Sequence, residues 1–161
     1  MAFFTPLFRS RRDGDRLLGG GQIVLIGLIT WLAPALVGGS MILLITVLGM
    51  TTSPEPVAGV IGAYGGMLVL APFVGIFVVP AALVVGMWAL RLGVAGWASA
   101  LIAGTGVPLA VAGLIDWSDQ TAAAVMAVIA LTPVIVLHVL VLWSATRWLC
   151  PDALIPPAEG A

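Results

Sequence analysis

The order of polar and apolar residues divides the chain into four long apolar segments. Residues that are free of Asp, Glu, Lys and Arg run over 17–54, 56–90, 92–115 and 120–146. Each segment exceeds the roughly 20 residues that a helix needs to cross about 30 Å of hydrocarbon. Their apolarity is continuous and does not alternate, which favours helices over the strands of a membrane barrel. We therefore expect an all-α integral membrane protein.

Composition agrees with this interpretation. Hydrophobic residues make up 61% of the chain and charged residues 8%, against roughly 25% charged residues in ordinary soluble domains. The mean hydropathy is +1.21. Short connections between the segments predict that consecutive helices are antiparallel neighbours, which gives an up-down four-helix bundle. The predicted single membrane domain, 1–161, comprises an arm at 1–21, spans at about 22–50, 57–90, 94–115 and 121–149, and a tail at 150–161.

The second predicted span is longer than a bilayer requires. A helix over 57–90 would extend about 50 Å, so we expect one long helix that kinks at Pro72 or Pro80. In the alternative interpretation, residues 58–66 form a re-entrant or interfacial segment and the spanning helix starts near Pro72.

Arginine is the only cationic residue type in the chain, and its distribution predicts the topology. Because cytoplasmic loops retain arginine, we expect both termini in the cytoplasm, with three acidic residues and no base in the outer loops. The abundance of alanine, glycine and valine without any lysine suggests a bacterial protein, and hence an inner-membrane location. The arginines, which we expect to set topology and to contact headgroups, are Arg9, Arg11, Arg12, Arg16, Arg91 and Arg147.

The N-terminal arm has two interpretations. Apolar residues at helical spacing precede the arginines, which is typical of an interfacial helix attracted to anionic headgroups. A flexible tail is the alternative. The apolar residues are Phe3, Phe4, Leu7 and Phe8.

His138 is the only His, Asp, Glu, Lys or Arg residue within the four charge-free segments, and such residues are candidates for function. It could be a structural histidine bonded to Ser99 at a matching depth, a ligand of haem or a chlorophyll-type pigment, a proton carrier or a catalytic base. Hydrolysis by a Ser99–His138 pair would also need an oxyanion hole, which no motif supplies. We expect no cofactor, with His138 as the place for a pigment or haem if one binds. With one histidine and Cys150 as the single cysteine, we expect no metal site.

Small residues recur at helical spacing in two of the predicted spans. Such faces allow close approach of helix backbones in lipid, either within one bundle or between subunits. The expected packing or partner-interface residues are Gly59, Gly62, Gly66, Gly96, Ala100 and Gly104.

By elimination, the sequence predicts a protein that is not an enzyme. The leading hypothesis is a non-catalytic accessory or scaffold subunit of a larger bacterial inner-membrane complex, whether respiratory, photosynthetic or transport. Its partners would be the lipid bilayer and other membrane subunits, with no nucleic acid. One alternative is a small homo-oligomeric channel or transporter, and another is pigment binding through His138. Ion-coupled transport is disfavoured because the charge-free segments that would form the membrane interior contain no carboxylate or cation.

Overall fold

The computed structural model describes residues 7–48, 56–114 and 122–155, and within those ranges the chain is helical without any strand. A 3-10 turn, Gly14–Leu17, precedes the first α-helix of the described chain. The helices are α1 (Gly20–Val47), α2 (Pro56–Val69), α3 (Ala71–Leu92), α4 (Trp97–Leu114), α5 (Ala122–Leu149) and α6 (Pro151–Leu154). The predicted outer turns and Phe3 and Phe4 of the arm lie outside the described residues.

Three segments of the described chain are long and apolar enough to cross a membrane. They are Gly20–Val47, Ala71–Leu92 and Ala130–Leu149. The expectation of an all-helical protein with several helices able to cross a membrane is therefore confirmed. The other two apolar helices, α2 and α4, are shorter.

Local sequence explains where α1 begins and α3 ends. The Gln22 side chain accepts a hydrogen bond from the Gly19 backbone N–H at 2.8 Å and so satisfies an amide at the start of α1. At the end of α3, Gly93 has a φ of 73°, in the left-handed region that glycine adopts without cost. The Val94 N–H then bonds back to the Ala89 carbonyl at 2.9 Å.

The segment predicted as one kinked helix over 57–90 is divided at Leu70 into α2 and α3. Pro72 has no N–H to donate to the Leu68 carbonyl, so the regular hydrogen-bond ladder stops there. The Leu70 N–H still bonds to the Gly66 carbonyl at 3.2 Å. Residues 58–66 are helical within α2, and Pro80 lies inside α3 without ending it.

Helix α1 is the centre of the bundle. It packs extensively against α2 and α5 and less against α3, whereas α4 packs mainly against α5. Although α3 and α4 are consecutive in the chain, they make little direct contact, and an apolar crevice separates them. The simple up-down arrangement of neighbours is therefore modified between α3 and α4.

Residues 7–13, which we call the strap, lie against the turn between α3 and α4 and against the start of α4. The strap is not a regular helix, in contrast to the interfacial helix considered for the arm. Its backbone bonds to the turn that joins α3 and α4, through Ser10 N–H to the Gly93 carbonyl at 2.9 Å and Ala98 N–H to the Leu7 carbonyl at 3.1 Å. The Arg11 N–H also bonds to the Leu154 carbonyl at 3.0 Å. The strap thus joins the α3–α4 turn to α6.

Candidate functional site

His138 lies where α1, α3 and α5 meet, and its side chain is fully buried. Its Nδ1 is 2.8 Å from the Val134 carbonyl oxygen of the preceding helical turn. Because a carbonyl only accepts, Nδ1 carries the hydrogen of this bond and a neutral ring leaves Nε2 as an acceptor. Nε2 is buried and receives no hydrogen bond from the described part of the chain.

Gly75 of α3 provides the space for this ring. A Cβ added to Gly75 would lie 3.2 Å from His138 Nε2 and 2.6 Å from Trp31 Cδ1. The Trp31 indole N–H donates to the Pro72 carbonyl at 2.8 Å, and the neighbouring Thr30 hydroxyl donates to the Ile26 carbonyl at 2.7 Å. We call Thr30, Trp31 and His138 the polar layer. The Thr30 hydroxyl, the Trp31 indole N–H and His138 Nδ1 each hydrogen-bond to a backbone carbonyl. His138 Nε2 has no hydrogen-bond partner among the described residues.

Ser99 does not belong to the polar layer. It lines the crevice from α4, whereas His138 faces Gly75 and Trp31. The expected Ser99–His138 hydrogen bond is therefore not formed, because the two side chains turn towards different helices.

The surroundings of Nε2 define what the histidine can do in this arrangement. Axial ligation would require a metal about 2 Å from a ring nitrogen and a flat macrocycle beside it. Nε2 instead meets the backbone of α3 and the indole of α1. A pigment would enter only if α1 and α3 moved apart, so the contacts favour a structural role. No group of three metal-ligating side chains occurs among the residues that the structure describes.

The six small residues predicted for helix packing have different surroundings. In α2, Gly62 faces Ile45 of α1, with 3.4 Å between an added Cβ and Ile45 Cδ1. In α4, Gly104 faces α5, where an added Cβ would lie 3.2 Å from Val136 Cα. Gly96 precedes α4 and meets the Leu7 backbone of the strap.

The other three predicted packing residues are Ala100, Gly59 and Gly66. Ala100 packs against the cluster of Leu90, Trp143 and Leu154. At Gly59 and Gly66, an added Cβ would meet nothing within 4 Å. Only these two of the six residues therefore face open space.

The crossing of α1 and α2 involves two glycines that sequence spacing missed. A Cβ added to Gly38 of α1 would lie 2.5 Å from the Gly65 carbonyl oxygen of α2. Both glycines are buried. Each has an outward-facing glycine beside it, Gly39 and Gly66, and those two have open space. The adjacent glycines Gly38–Gly39 and Gly65–Gly66 were the sequence signal of this crossing. The helical spacing of small residues selected Gly66, and not Gly65, as the packing residue.

The strap, the ends of α3 and α5, and α6 lie at one end of the bundle, which we call the arginine end. It contains all six arginines, together with Asp13, Asp15 and Asp152. Arg16 and Asp13 approach to 3.9 Å, with side chains that are 75% and 50% exposed, so this pair adds little stability. The six arginines are therefore grouped at the same end of the bundle.

Cys150 lies at the arginine end, between α5 and α6, and is 6% exposed. Burial raises the pKa of its thiol, and the negative charge of Asp152 raises it further. The thiol therefore stays protonated and weakly reactive at neutral pH.

No protein-family description matches the chain, and neither the curated proteins nor the solved structures include one that is similar to it.

Proposed function

We propose that the protein spans a bacterial inner membrane four times, with the arginine end and both termini in the cytoplasm. Three spans correspond to α1, to α2 followed by α3, and to α5, and α4 supplies the fourth. Its 18 residues extend about 27 Å, close to the thickness of the hydrocarbon core. The collection of arginine at one end supports this orientation.

Cysteine labelling tests the proposed orientation. In a Cys150→Ala background, a membrane-impermeant maleimide added to spheroplasts should label Ser118→Cys in the outer loop and spare Gly160→Cys in the tail. Both should be labelled after the membrane is made permeable. Labelling of Gly160→Cys in intact spheroplasts would reverse or refute the topology.

We further propose that the protein is a non-catalytic accessory or scaffold subunit of a larger membrane complex. The observation that carries this proposal is the outward face of α2. Gly59, Ala63 and Gly66 recur on one side of the helix and we call them the α2 outer face. Gly59 and Ala63 are exposed and Gly66 is partly exposed.

Gly62 and Gly65, on the neighbouring side of α2, already pack against α1 within the bundle. α2 meets α3 only slightly, so it is held at the periphery from one side. In lipid, small residues allow a second helix to approach closely and to gain dispersion contacts. A partner transmembrane helix with its own small residues fits the α2 outer face.

Purification in mild detergent, followed by identification of associated chains by mass spectrometry, tests the proposed role. Gly59→Leu combined with Gly66→Leu should reduce recovery of the partner at least tenfold, because the larger side chains keep the backbones apart. Gly39→Leu and Gly106→Leu are matched controls, since both glycines also have open space but lie on other helices. Loss of the partner in the controls alone would contradict the assigned surface.

The same preparation discriminates the two other functions. Solute flux in liposomes that contain only this protein would favour a channel or transporter. Visible absorbance that disappears in His138→Ala would favour pigment binding. A monomeric, partnerless protein with either property would overturn the accessory role.

A further inference from the structure

The crevice between α3 and α4 has a volume of about 290 Å³ and is built as an apolar slot. Side chains of α3 form one wall, those of α4 form the other, and α5 forms the floor with residues such as Val139 and Leu142. Small residues, including Gly86 and Ala103, widen it. Ser99 and Thr146 are among its lining residues, and the Thr146 hydroxyl donates to the Leu142 carbonyl at 2.8 Å.

The slot is open towards lipid and closed at the arginine end. Its rim residues, Val85 and Val107, are 57% and 62% exposed. At the arginine end, Leu90 and Leu154 are 4% and 1% exposed and pack with Trp143 into one cluster. An occupant would therefore enter sideways from the bilayer.

The length of the slot matches one leaflet. Its lining extends along α3 from Val78 to Leu90, which is about 18 Å at 1.5 Å per residue. Half of a hydrocarbon core of about 30 Å is about 15 Å. The slot thus reaches from the arginine end to roughly the middle of the bilayer, as an acyl chain does.

Charge at the closed end indicates which lipid would be preferred. Arg91 directly follows the slot residue Leu90. The Arg91 carbonyl accepts a hydrogen bond from the backbone N–H of Asp13 in the strap. Arg12 of the strap lies against Gly93, and both arginine side chains are exposed. The aspartates at this end are Asp13, Asp15 and Asp152, which leaves arginine in excess and favours a negatively charged headgroup.

We propose that the crevice binds one acyl chain of an anionic phospholipid from the leaflet at the arginine end, with the headgroup phosphate at Arg12 and Arg91. This site is independent of the α2 outer face, which lies on another helix. An accessory subunit could therefore lose its partner surface and still retain the lipid.

Native mass spectrometry of the full chain, titrated separately with dioleoyl phosphatidylglycerol and dioleoyl phosphatidylcholine, tests the proposal. We expect one tightly held phosphatidylglycerol and at least fivefold weaker retention of phosphatidylcholine. Ala103→Phe should fill the slot and weaken phosphatidylglycerol binding at least tenfold, whereas Gly106→Phe, at an open position of the same helix, should not. Arg91→Gln should weaken phosphatidylglycerol binding about fivefold and leave phosphatidylcholine unchanged.

Equal retention of the two lipids, or equal effects of Ala103→Phe and Gly106→Phe, would overturn the site. If Ala103→Phe does not fold, a small photoreactive amino acid at Val107 on the rim gives a second readout in native membranes. A phospholipid adduct that decreases with Arg91→Gln supports the proposal. A polypeptide adduct identifies a partner or a second copy of the chain and contradicts it, as does a lipid adduct that Arg91→Gln leaves unchanged.

Discussion

Adjacent glycines in α1 face opposite environments. Gly38 touches the backbone of α2, where an added Cβ would also lie 2.7 Å from Leu68 Cβ, whereas Gly39 has nothing within 4 Å. Gly38→Ala should therefore force α1 and α2 apart and lower the free energy of unfolding by about 1–3 kcal/mol. Gly39→Ala should be neutral or slightly stabilising. Titration with sodium dodecyl sulfate, followed by circular dichroism, measures both, and equal losses would contradict the assigned crossing.

The environment of His138 predicts a modest effect for its replacement. Nε2 has no hydrogen-bond donor in the described part of the chain, so an apolar side chain of similar size forfeits little. We expect His138→Leu to change the free energy of unfolding by less than about 1.5 kcal/mol. Gly75→Ala should cost more, because Trp31 is fixed by its bond to Pro72. A loss above 3 kcal/mol in His138→Leu would indicate an unrecognised partner of Nε2.

The buried thiol of Cys150 predicts slow alkylation with a displaced pH profile. A raised pKa keeps the neutral thiol at pH values where an exposed cysteine is already thiolate, so the rate should rise only at higher pH. Asp152→Asn removes the negative charge beside the thiol, so the pH profile of alkylation should move to lower pH. Burial of the thiol should still keep that profile at higher pH than the profile of the unfolded chain. Iodoacetamide labelling between pH 7 and 10 measures this, and a profile identical to that of the unfolded chain would exclude the described burial.

At the level of elements, the strap connects the α3–α4 turn to α6 through backbone hydrogen bonds. Gly96 has no room for a Cβ because the Leu7 carbonyl lies against it. Gly96→Ala should detach the strap and accelerate tryptic cleavage after Arg9, Arg11 and Arg12 several-fold. Gly106→Ala, at an open position in α4, is the control. Unchanged cleavage in Gly96→Ala would show that the strap is held in another way.

The elements differ in how far sequence could predict them. Continuous apolarity and proline positions identified the long helices and the interruption near Pro72, because both depend on local chemistry. The strap was missed because its bonds join backbone groups over 80 residues apart, such as Ser10 and Gly93, and no side-chain pattern records such pairing. Likewise, spacing marked α2 as a packing helix but could not decide between Gly65 and Gly66, since that choice depends on the crossing with α1.

For the whole molecule, the described residues divide into an arginine end closed by the strap and α6 and a remainder with a more open surface. His138 was recognisable from sequence because it is the only His, Asp, Glu, Lys or Arg residue within the four charge-free segments. Its neighbours were not recognisable, since Gly75 and Trp31 come from two other helices. The crevice had no sequence signal either, because it arises from the separation of α3 and α4 that accompanies the strap.

The central proposal is that the α2 outer face docks a partner helix, and photo-crosslinking in native membranes tests it most directly. A diazirine analogue of leucine at Val60, which is 57% exposed beside that face, should crosslink to one defined membrane protein. Combining it with Gly66→Leu should abolish that adduct. The same analogue at Leu36 of α1, which is 73% exposed, should react with lipid. Lipid adducts alone from both positions would contradict the accessory-subunit account.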